Sequence, residues 1–469
     1  MELAGGQVLV AGAGVTGRPV AVALAGMGAR VTLTDGNAER LAELSDLLVL
    51  GVALVPGLAE PPAGTTLVVT SPGWRPSSPL LVAAAEAGIE VIGDVEFAWR
   101  VGQERENPPA WLAITGTNGK TTTVGMLESI LRAAGVDAVA CGNIGYSVLD
   151  AVLAGHEALA VELSSFQLHW SRTLAPKASV VLNLAEDHID WHGSMAEYAA
   201  AKGKIHARSE TVVHNLADEW STRLADENAP AEARHVAFGL GTPRPGELGL
   251  VEELLVDRAF VDDPARNADE LAELGDVRPP GPHNVSNALA AAALARAYGV
   301  DPAAVAKGLR DYQPGPHRAV LVGEAGGVRY INDSKATNPH AAAGSLRAHA
   351  DVVWIAGGQL KGASVEELVA SIAGRLRGVV LLGVDSPVIA AAVARHAPDV
   401  PVRELHPGDD DPMTAAVSAA SAMARPGDVV LLAPAAASLD MFDNYMRRGD
   451  AFAEAVGVLV AGEQPSDGG

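Results

Sequence analysis

The chain reads as an α/β protein of three domains: Rossmann-like at the N-terminus, P-loop ATPase-like in the centre, and Rossmann-like α/β at the C-terminus. Three observations predict this. Two glycine loops each follow a short apolar run and open a helical pattern, such runs alternate with helical patterns through most of the chain, and 469 residues suit about three domains. The first loop, Gly12-Ala13-Gly14-Val15-Thr16-Gly17, follows a strand over Gln7 to Ala11 and opens a helix over Arg18 to Gly28. A second strand, Arg30 to Thr34, ends at Asp35, 23 residues beyond Gly12. That spacing suits a pyrophosphate at the helix N-terminus and a ribose near Asp35. A glycine turn that merely packs helix on sheet would leave the same trace. Ser71-Pro72-Gly73, after a strand over Thr66 to Thr70, is placed to face the same ligand.

Polar residues Glu104 to Pro109 form a linker into the second block. There the apolar run Ala110 to Ile114 leads into Thr115-Gly116-Thr117-Asn118-Gly119-Lys120-Thr121-Thr122, and Val124, Leu127, Ile130, Leu131 and Ala134 follow at helical spacing. A glycine-bearing turn between strand and helix points backbone N–H groups at one spot, which suits a phosphate. Lys120 would reach the outer phosphates of ATP and the Thr121 hydroxyl would meet Mg²⁺. The generic P-loop has its first glycine earlier in the chain than Gly116, so that glycine is displaced here. The same block carries Gly142-Asn143-Ile144-Gly145, a strand over Leu159 to Leu163, the run Glu162 to Leu168, and a strand over Ser179 to Leu184 leading into Glu186-Asp187-His188. Between Ala217 and Pro282 the rhythm weakens toward short antiparallel strands, after which His283 to Asn287 caps an Ala-rich helix. Beyond Pro314-Gly315-Pro316 a third block places strands near 328–331, 352–356, 378–383 and 428–433, and 463–469 reads as a disordered tail.

Composition narrows the function. Aromatic residues are only 4% against 48% apolar, so the interior must be built from Ala, Val and Leu. The net charge of −23 argues against a nucleic-acid or anionic-membrane surface. A single cysteine, Cys141, excludes an internal disulfide framework and a cysteine-ligated zinc site. No run of eighteen apolar residues appears, so membrane insertion is not expected and a cytoplasmic enzyme is the simplest reading. Only seven of the 34 basic residues are Lys, and four of them, Lys120, Lys202, Lys335 and Lys361, fall in motifs. A lysine chosen over the prevailing arginine marks a place for a compact ammonium or an amine able to lose its proton. Glu162 and His188, both near the ends of strands in the P-loop block, are candidates to hold divalent cations, and Asp333-Ser334-Lys335-Ala336-Thr337-Asn338 offers an acid, a hydroxyl and an amine in one turn.

Taken in order, the segments Gly12 to Gly17, Gly116 to Thr121, Gly142 to Gly145, Glu162 to Leu168, Asn183 to Asp190, Gly281 to Asn287, Gly315 to Arg318, Ile331 to Asn338 and Pro434 to Gly449 resemble the Mur ligases, and within them the D-glutamate-adding members. The shifted glycine is that family's own form. The resemblance implies domains at 1–107, 108–314 and 315–462 for UDP-sugar, ATP with Mg²⁺, and amino acid. It implies an acyl-phosphate route joining D-glutamate to UDP-N-acetylmuramoyl-L-alanine, in a monomer without nucleic-acid partners. Carried over residue by residue, Gly116, Thr117, Asn118, Gly119, Lys120, Thr121, Thr122, Asn284, Asn287, Arg318, Asp333 and Lys335 would serve ATP. Two Mg²⁺ ions would be held by Thr121, Glu162, His188 and a carbamylated Lys202, with Lys120, His188 and Lys202 catalytic and His317 at the domain hinge. Val15, Thr16, Asp35, Ser71, Gly73 and Asn143 would contact the UDP-sugar. Thr337, Lys361, Ser438, Leu439 and Tyr445 would hold D-glutamate, near a helix starting at Ser438.

Lys204 competes with Lys202, and only Tyr198 fixes the register. Three departures stand out: Gly36-Asn37 after Asp35, where some relatives have Thr-Arg, so that no cation is expected beside the uracil; Ala436 in place of a cysteine; and Tyr445 in place of phenylalanine. A folylpolyglutamate synthase-like ligase would share the P-loop and modified lysine but usually lacks the first block. A non-catalytic nucleotide-binding regulator would have no reason to keep Glu162, His188 and Lys202 together, and an NAD-dependent dehydrogenase would explain the first block alone.

Overall fold

A computed structural model describes residues 3–405 and 411–463. The expected tail lies outside the described residues, except that Glu463 ends the last helix. Three sheets follow one another along the chain. The first has strands β1 (Gln7–Ala11), β2 (Arg30–Thr34), β3 (Ala53–Leu54), β4 (Thr65–Thr70) and β5 (Glu90–Gly93) in the order β3-β2-β1-β4-β5, all parallel. The second is built from β6 (Ala110–Thr115), β7 (Ala138–Gly142), β8 (Ala158–Glu162), β9 (Ala178–Val181), β10 (Thr211–Asn215), β11 (Arg234–Phe238), β12 (Glu247–Val251), β13 (Leu254–Asp257) and β14 (Asp269–Glu273). Their order is β14-β13-β12-β11-β10-β9-β6-β8-β7, and only the β12-β13 and β13-β14 pairings are antiparallel. The third sheet comprises β15 (Val320–Ala325), β16 (Val328–Asn332), β17 (Val352–Gly357), β18 (Leu376–Leu382), β19 (Val402–Glu404) and β20 (Val429–Leu432), ordered β15-β16-β20-β17-β18-β19 with an antiparallel β15 edge.

Central strands are apolar on both faces because helices cover both sides of a parallel sheet. All five residues of β8 are buried, as are all six of β17. The described residues pack as two compact units, one running to Asp276 and including Ser286–Tyr312, the other made of Val277–Val285 and the chain from Gln313 on. Within the first unit the two sheets share a continuous core from Val8 and Leu33 to Trp111 and Val161. The linking helix Asp94–Gln103 fastens them. Its Trp99 ring meets Trp111 edge-on with centroids 5.3 Å apart, and its buried Glu96 accepts from the backbone N–H groups of Arg172 (2.8 Å) and Thr173 (2.9 Å). The P-loop helix Lys120–Ala133 is gripped as closely. A Cβ on Gly308 would lie 2.3 Å from Ile130 Cα, and the Ser129 hydroxyl donates to Gly308 O at 2.7 Å.

Several expectations shift. The strand expected to reach Leu184 ends at Val181 because the chain turns there to meet the P-loop, with Thr117 N donating to Asn183 O. The region after Ala217 does contain antiparallel strands, but it also contains the helix Glu219–Asn228 and the parallel β11, which a weak apolar rhythm hid. The edge strand β15 was not expected either; its burial is mixed, as an edge allows. His283 to Asn287 do not cap the Ala-rich helix but lie inside it, in the first turns of Pro282–Tyr298. Residues 288–295 of that helix are fully buried on every side, which only small side chains permit.

Acid should weaken the first unit through His206. Its Nδ1 meets the Ser179 hydroxyl at 2.8 Å, its Nε2 is buried without a partner, and burial, followed by the nearby His214 and His235, lowers the imidazole to about 3. The unfolded chain takes up this proton near the ordinary value of about 6.5 and the folded chain only near 3, so stability is full above pH 6.5 and declines as pH falls through that window. Between pH 7 and 5 the loss from this residue is expected to be about 2 kcal/mol. Urea midpoints at both pH values for the parent and for His206→Asn check it; an unchanged pH dependence in the variant would remove His206 as the cause.

Candidate active site

The loop between β6 and its helix is held open by its glycines. Gly116 and Gly119 adopt φ of 154° and 85°, and a Cβ on Gly119 would sit 2.4 Å from Asn287 Oδ1. The Asn183 side chain braces the loop from both directions, accepting from Asn118 N at 2.9 Å and donating to Asn118 O at 3.1 Å. Lys120 folds over the turn, with Nζ 2.9 Å from the carbonyls of Gly116 and Thr117. Glu162, the last residue of β8 and buried, accepts from the Thr121 hydroxyl through Oε2 (2.7 Å) and from Asn143 Nδ2 through Oε1 (3.0 Å). Asn143, which the resemblance gave to the UDP-sugar, thus stands on the carboxylate beside the P-loop.

Tyr198 joins three of the expected residues. Ser194 caps its helix, Met195–Gly203, and the i, i+4 spacing sets Tyr198 and Lys202 on one face, with Lys202 Nζ 4.8 Å from the ring centroid. The Tyr198 hydroxyl lies 3.0 Å from Thr117 Oγ1, and the His188 ring stands 6.4 Å from the Tyr198 ring. Lys202 is buried behind the P-loop, donating to Gly116 O (3.0 Å) and Thr115 Oγ1 (3.2 Å). Burial, followed by the Lys120 cation, pushes its amine well below the ordinary lysine range. Lys204, its competitor by sequence, instead donates to His169 O at 2.6 Å on an exposed face. His188 occupies the left-handed region at φ 54°, unusual for a non-glycine residue, and packs against Phe166 with ring centroids 4.8 Å apart.

At the C-terminal edge of the first sheet lies a cavity of about 460 Å³ lined by Gly12, Gly14, Val15, Thr16, Asp35 and Ser71, among others. Thr16 Oγ1 donates to Ser71 Oγ at 3.2 Å. Asp35 serves the loops themselves, accepting from Ala13 N and Asn37 N at 2.8 Å each. Gly36 and Asn37 do follow Asp35 without a cation, and Arg40, in the short helix Ala38–Ala42, lines the cavity together with Trp74. The glycines divide the labour. A Cβ on Gly12 or Gly17 would strike Ser71 or Gly12 O, whereas one on Gly14 meets nothing within 4 Å. Gly14→Val should therefore fold and raise the KM for a nucleotide ligand of this cavity by about tenfold to a hundredfold, with ATP affinity unchanged. Steady-state kinetics on the two substrates decides, and equal changes in both would argue against a separate nucleotide cavity.

In the third sheet the expected residues gather on turns after β16, β17 and β20. Asp333 follows β16, and burial raises its carboxyl to about 6 against the Ala319 N–H (3.3 Å) and the nearby Arg318 cation. His317, beside Arg318, has φ 59° and meets Asn332 Nδ2 at 3.1 Å through Nδ1 and Asp450 Oδ1 at 3.3 Å through Nε2. Lys335 lies 4.2 Å from the centroid of Tyr445. A two-way backbone pair between Gln359 and Ala437 (2.8 and 2.9 Å) joins the turn of exposed Lys361 to that of buried Ser438 and exposed Leu439. The expected helix at Ser438 begins instead at Tyr445; Met441 N and Phe442 N turn back onto Ser438 O, so no helix N-terminus is presented there. Arg448, buried among these turns, had no signal in the sequence.

Residues 114–295 match the model of the Mur ligase middle domain, and 317–436 match that of the Mur ligase glutamate ligase domain. A protein of Thermobifida fusca named UDP-N-acetylmuramoylalanine--D-glutamate ligase is 56% identical over 98% of this chain and 100% of its own length. One of the same name from Streptomyces coelicolor is 55% identical over 98% of this chain and 99% of its own. The chain belongs to the Mur ligase family. The crystal structure of the UDP-N-acetylmuramate-alanine ligase MurC of Thermotoga maritima shares the fold of this Mur ligase at a TM-score of 0.59 and 20% identity, over 97% of this chain and 99% of that one. As a Mur ligase the chain is an ATP-dependent ligase of peptidoglycan-precursor synthesis.

The residues fit the ligands that such a ligase needs. Among the described residues no three His, Cys, Asp or Glu side chains converge on one metal position. Glu162 and the Thr121 hydroxyl beside it are hard oxygen donors, which suit Mg²⁺ completed by nucleotide phosphates. Among the described residues no helix is long and apolar enough to cross a membrane.

Proposed function

We propose that this Mur ligase joins D-glutamate to UDP-N-acetylmuramoyl-L-alanine, as a cytoplasmic monomer with domains at 1–107, 108–314 and 315–462. One observation carries the chemistry: the P-loop, the Thr121–Glu162–Asn143 contact and the buried Lys202 converge on one sheet edge. The names of the relatives support the substrates.

A carboxylate is a poor electrophile until its oxygen is made a leaving group. The L-alanine carboxylate oxygen takes the γ-phosphoryl group of ATP, ADP departs, and the neutral amine of D-glutamate attacks the acyl carbon. The C–N bond forms, the C–O bond to phosphate breaks, and the amine gives up a proton. Backbone N–H groups over Gly116 to Thr122 cradle the phosphates, and Lys120 swings from its own loop carbonyls to the transferring group, holding positive charge between two anions. Mg²⁺, when bound, screens phosphate charge and polarises the transferring group, with Thr121, Glu162, His188 and carbamylated Lys202 to hold two ions. A buried amine with lowered basicity beside neutral acceptors suits uptake of CO₂, which turns it into an anionic oxygen ligand. Asn284, Asn287, Arg318, Asp333 and Lys335 are the proposed further nucleotide and phosphoryl contacts. Val15, Thr16, Asp35, Ser71, Gly73 and Asn143 take the UDP-sugar, and Thr337, Lys361, Ser438, Leu439 and Tyr445 take D-glutamate.

Phosphate release from ATP in the presence of UDP-N-acetylmuramoyl-L-alanine is expected to depend on added D-glutamate, at a rate typical of enzymes, about 1–10³ s⁻¹. Release with neither substrate present, or dependence on a folate in place of the UDP-sugar, would replace this reading.

A further inference from the structure

Arg448, the fourth residue of the helix Tyr445–Glu463, is 2% exposed. Its Nε donates to Ser334 Oγ (3.0 Å), its Nη2 to Ser334 O (3.0 Å), and its Nη1 to Ala436 O (3.1 Å) and Gly357 O (3.3 Å). Every acceptor is neutral. The guanidinium has no ion-pair partner among the described residues, and the acid that most supports its charge, Asp440, spends Oδ2 on Val384 N. Burial lowers the guanidinium to about 10, so it remains charged at neutral pH. A buried cation without a paired anion is costly, and a fold that merely needed to fill this space could use an apolar side chain.

The acceptors show what the charge holds together. Ser334 sits between Asp333 and Lys335 after β16, Gly357 ends β17 four residues before Lys361, and Ala436 follows β20 two residues before Ser438. β16, β20 and β17 are adjacent, so the three turns lie at the C-terminal edge where open α/β sheets bind ligands. Ser334 Oγ passes the connection on, donating to Tyr445 O at 2.7 Å. We propose that Arg448 is the positioning residue of the amino-acid site, its planar fork fixing the turns of Lys335 and Thr337, of Lys361 and of Ser438, and its charge drawing a dicarboxylate amino acid into them. The inference rests on the D-glutamate reading above. Lysine cannot replace it, because one ammonium cannot reach carbonyls on three separate turns.

The test is steady-state kinetics of the full chain carrying Arg448→Lys, and separately Ser334→Ala, which removes the Nε acceptor alone. In both, the KM for D-glutamate is expected to rise about tenfold to a hundredfold and by more than the KM for ATP, which the turn of Asp333 and Lys335 also serves, while the KM for the UDP-sugar stays within about threefold. A D-glutamate KM unchanged in a folded variant, or a parallel rise in all three KM values as general loosening would give, overturns the proposal. If Arg448→Lys does not fold, Ser334→Ala decides. Lys361→Ala separates the two readings: if it leaves the D-glutamate KM unchanged, the amino-acid assignment of this site fails and the clamp with it. If it raises that KM while Arg448→Lys and Ser334→Ala do not, the clamp alone falls.

Discussion

Lys202→Ala is expected to lower turnover by about a hundredfold or more, with acetate or formate restoring part of it and bicarbonate none. The lysine lies buried with its Nζ 3.0 Å from Gly116 O, against the loop proposed to cradle phosphate. A charged ammonium there would repel the Lys120 cation and the metal ions that the nucleotide brings. As a carbamate it supplies oxygen donors instead, and removing the side chain leaves a cavity where a small carboxylate can enter as a substitute. On the proposed reading bicarbonate would serve the parent by modifying the amine, so it would have nothing to act on in the variant. Arg in this position would keep the charge and take up no CO₂. Near-parental turnover by the alanine variant would show that Lys202 is only a buried brace for Thr115 and Gly116.

The choice of acceptor should be as sharp. D-Glutamate carries two carboxylates, and the turns after β16, β17 and β20 carry Thr337, Lys361 and the buried Ser438 hydroxyl, with the Arg448 charge behind them. A site that bonds a distal carboxylate leaves its own polar groups unpaired when that carboxylate is missing, a penalty on the order of 10⁴-fold in kcat/KM. L-Alanine and L-lysine should therefore fail as acceptors. meso-Diaminopimelate should fail for a different reason, since its longer chain ends in an added ammonium that would meet cations. Amide formation measured with each amino acid in turn checks this. Efficient ligation of any of the three with D-glutamate inert would overturn the substrate while leaving the acyl-phosphate mechanism in place.

Much of the site was legible because its chemistry depends on backbone geometry that only particular residues allow. The left-handed Gly119 and the strand-to-helix turn around it follow from local rules, and so do the β1 to Asp35 spacing and the parallel strands with their continuous apolar runs. The i, i+4 relation of Tyr198 and Lys202 is equally local, which is why the register could be fixed from sequence. Other features arise only when distant segments meet. Asp35 spends both oxygens on neighbouring N–H groups, and Arg40 takes up the cationic place on the cavity wall that the sequence after Asp35 lacks. The chain turns at Ser438, with Met441 N and Phe442 N donating to Ser438 O, and the helix that carries Arg448 starts only at Tyr445. An arginine in a helix reads as a surface cation until its acceptors, here 114, 91 and 12 residues away, are brought together. The sequence by itself determined the two glycine loops between strand and helix and the parallel centres of the three sheets, because those rest on short-range sterics and periodicity. The tertiary structure alone decided which polar side chains are spent holding turns and which remain to meet a ligand, because burial and hydrogen-bond competition depend on contacts between residues far apart in the chain.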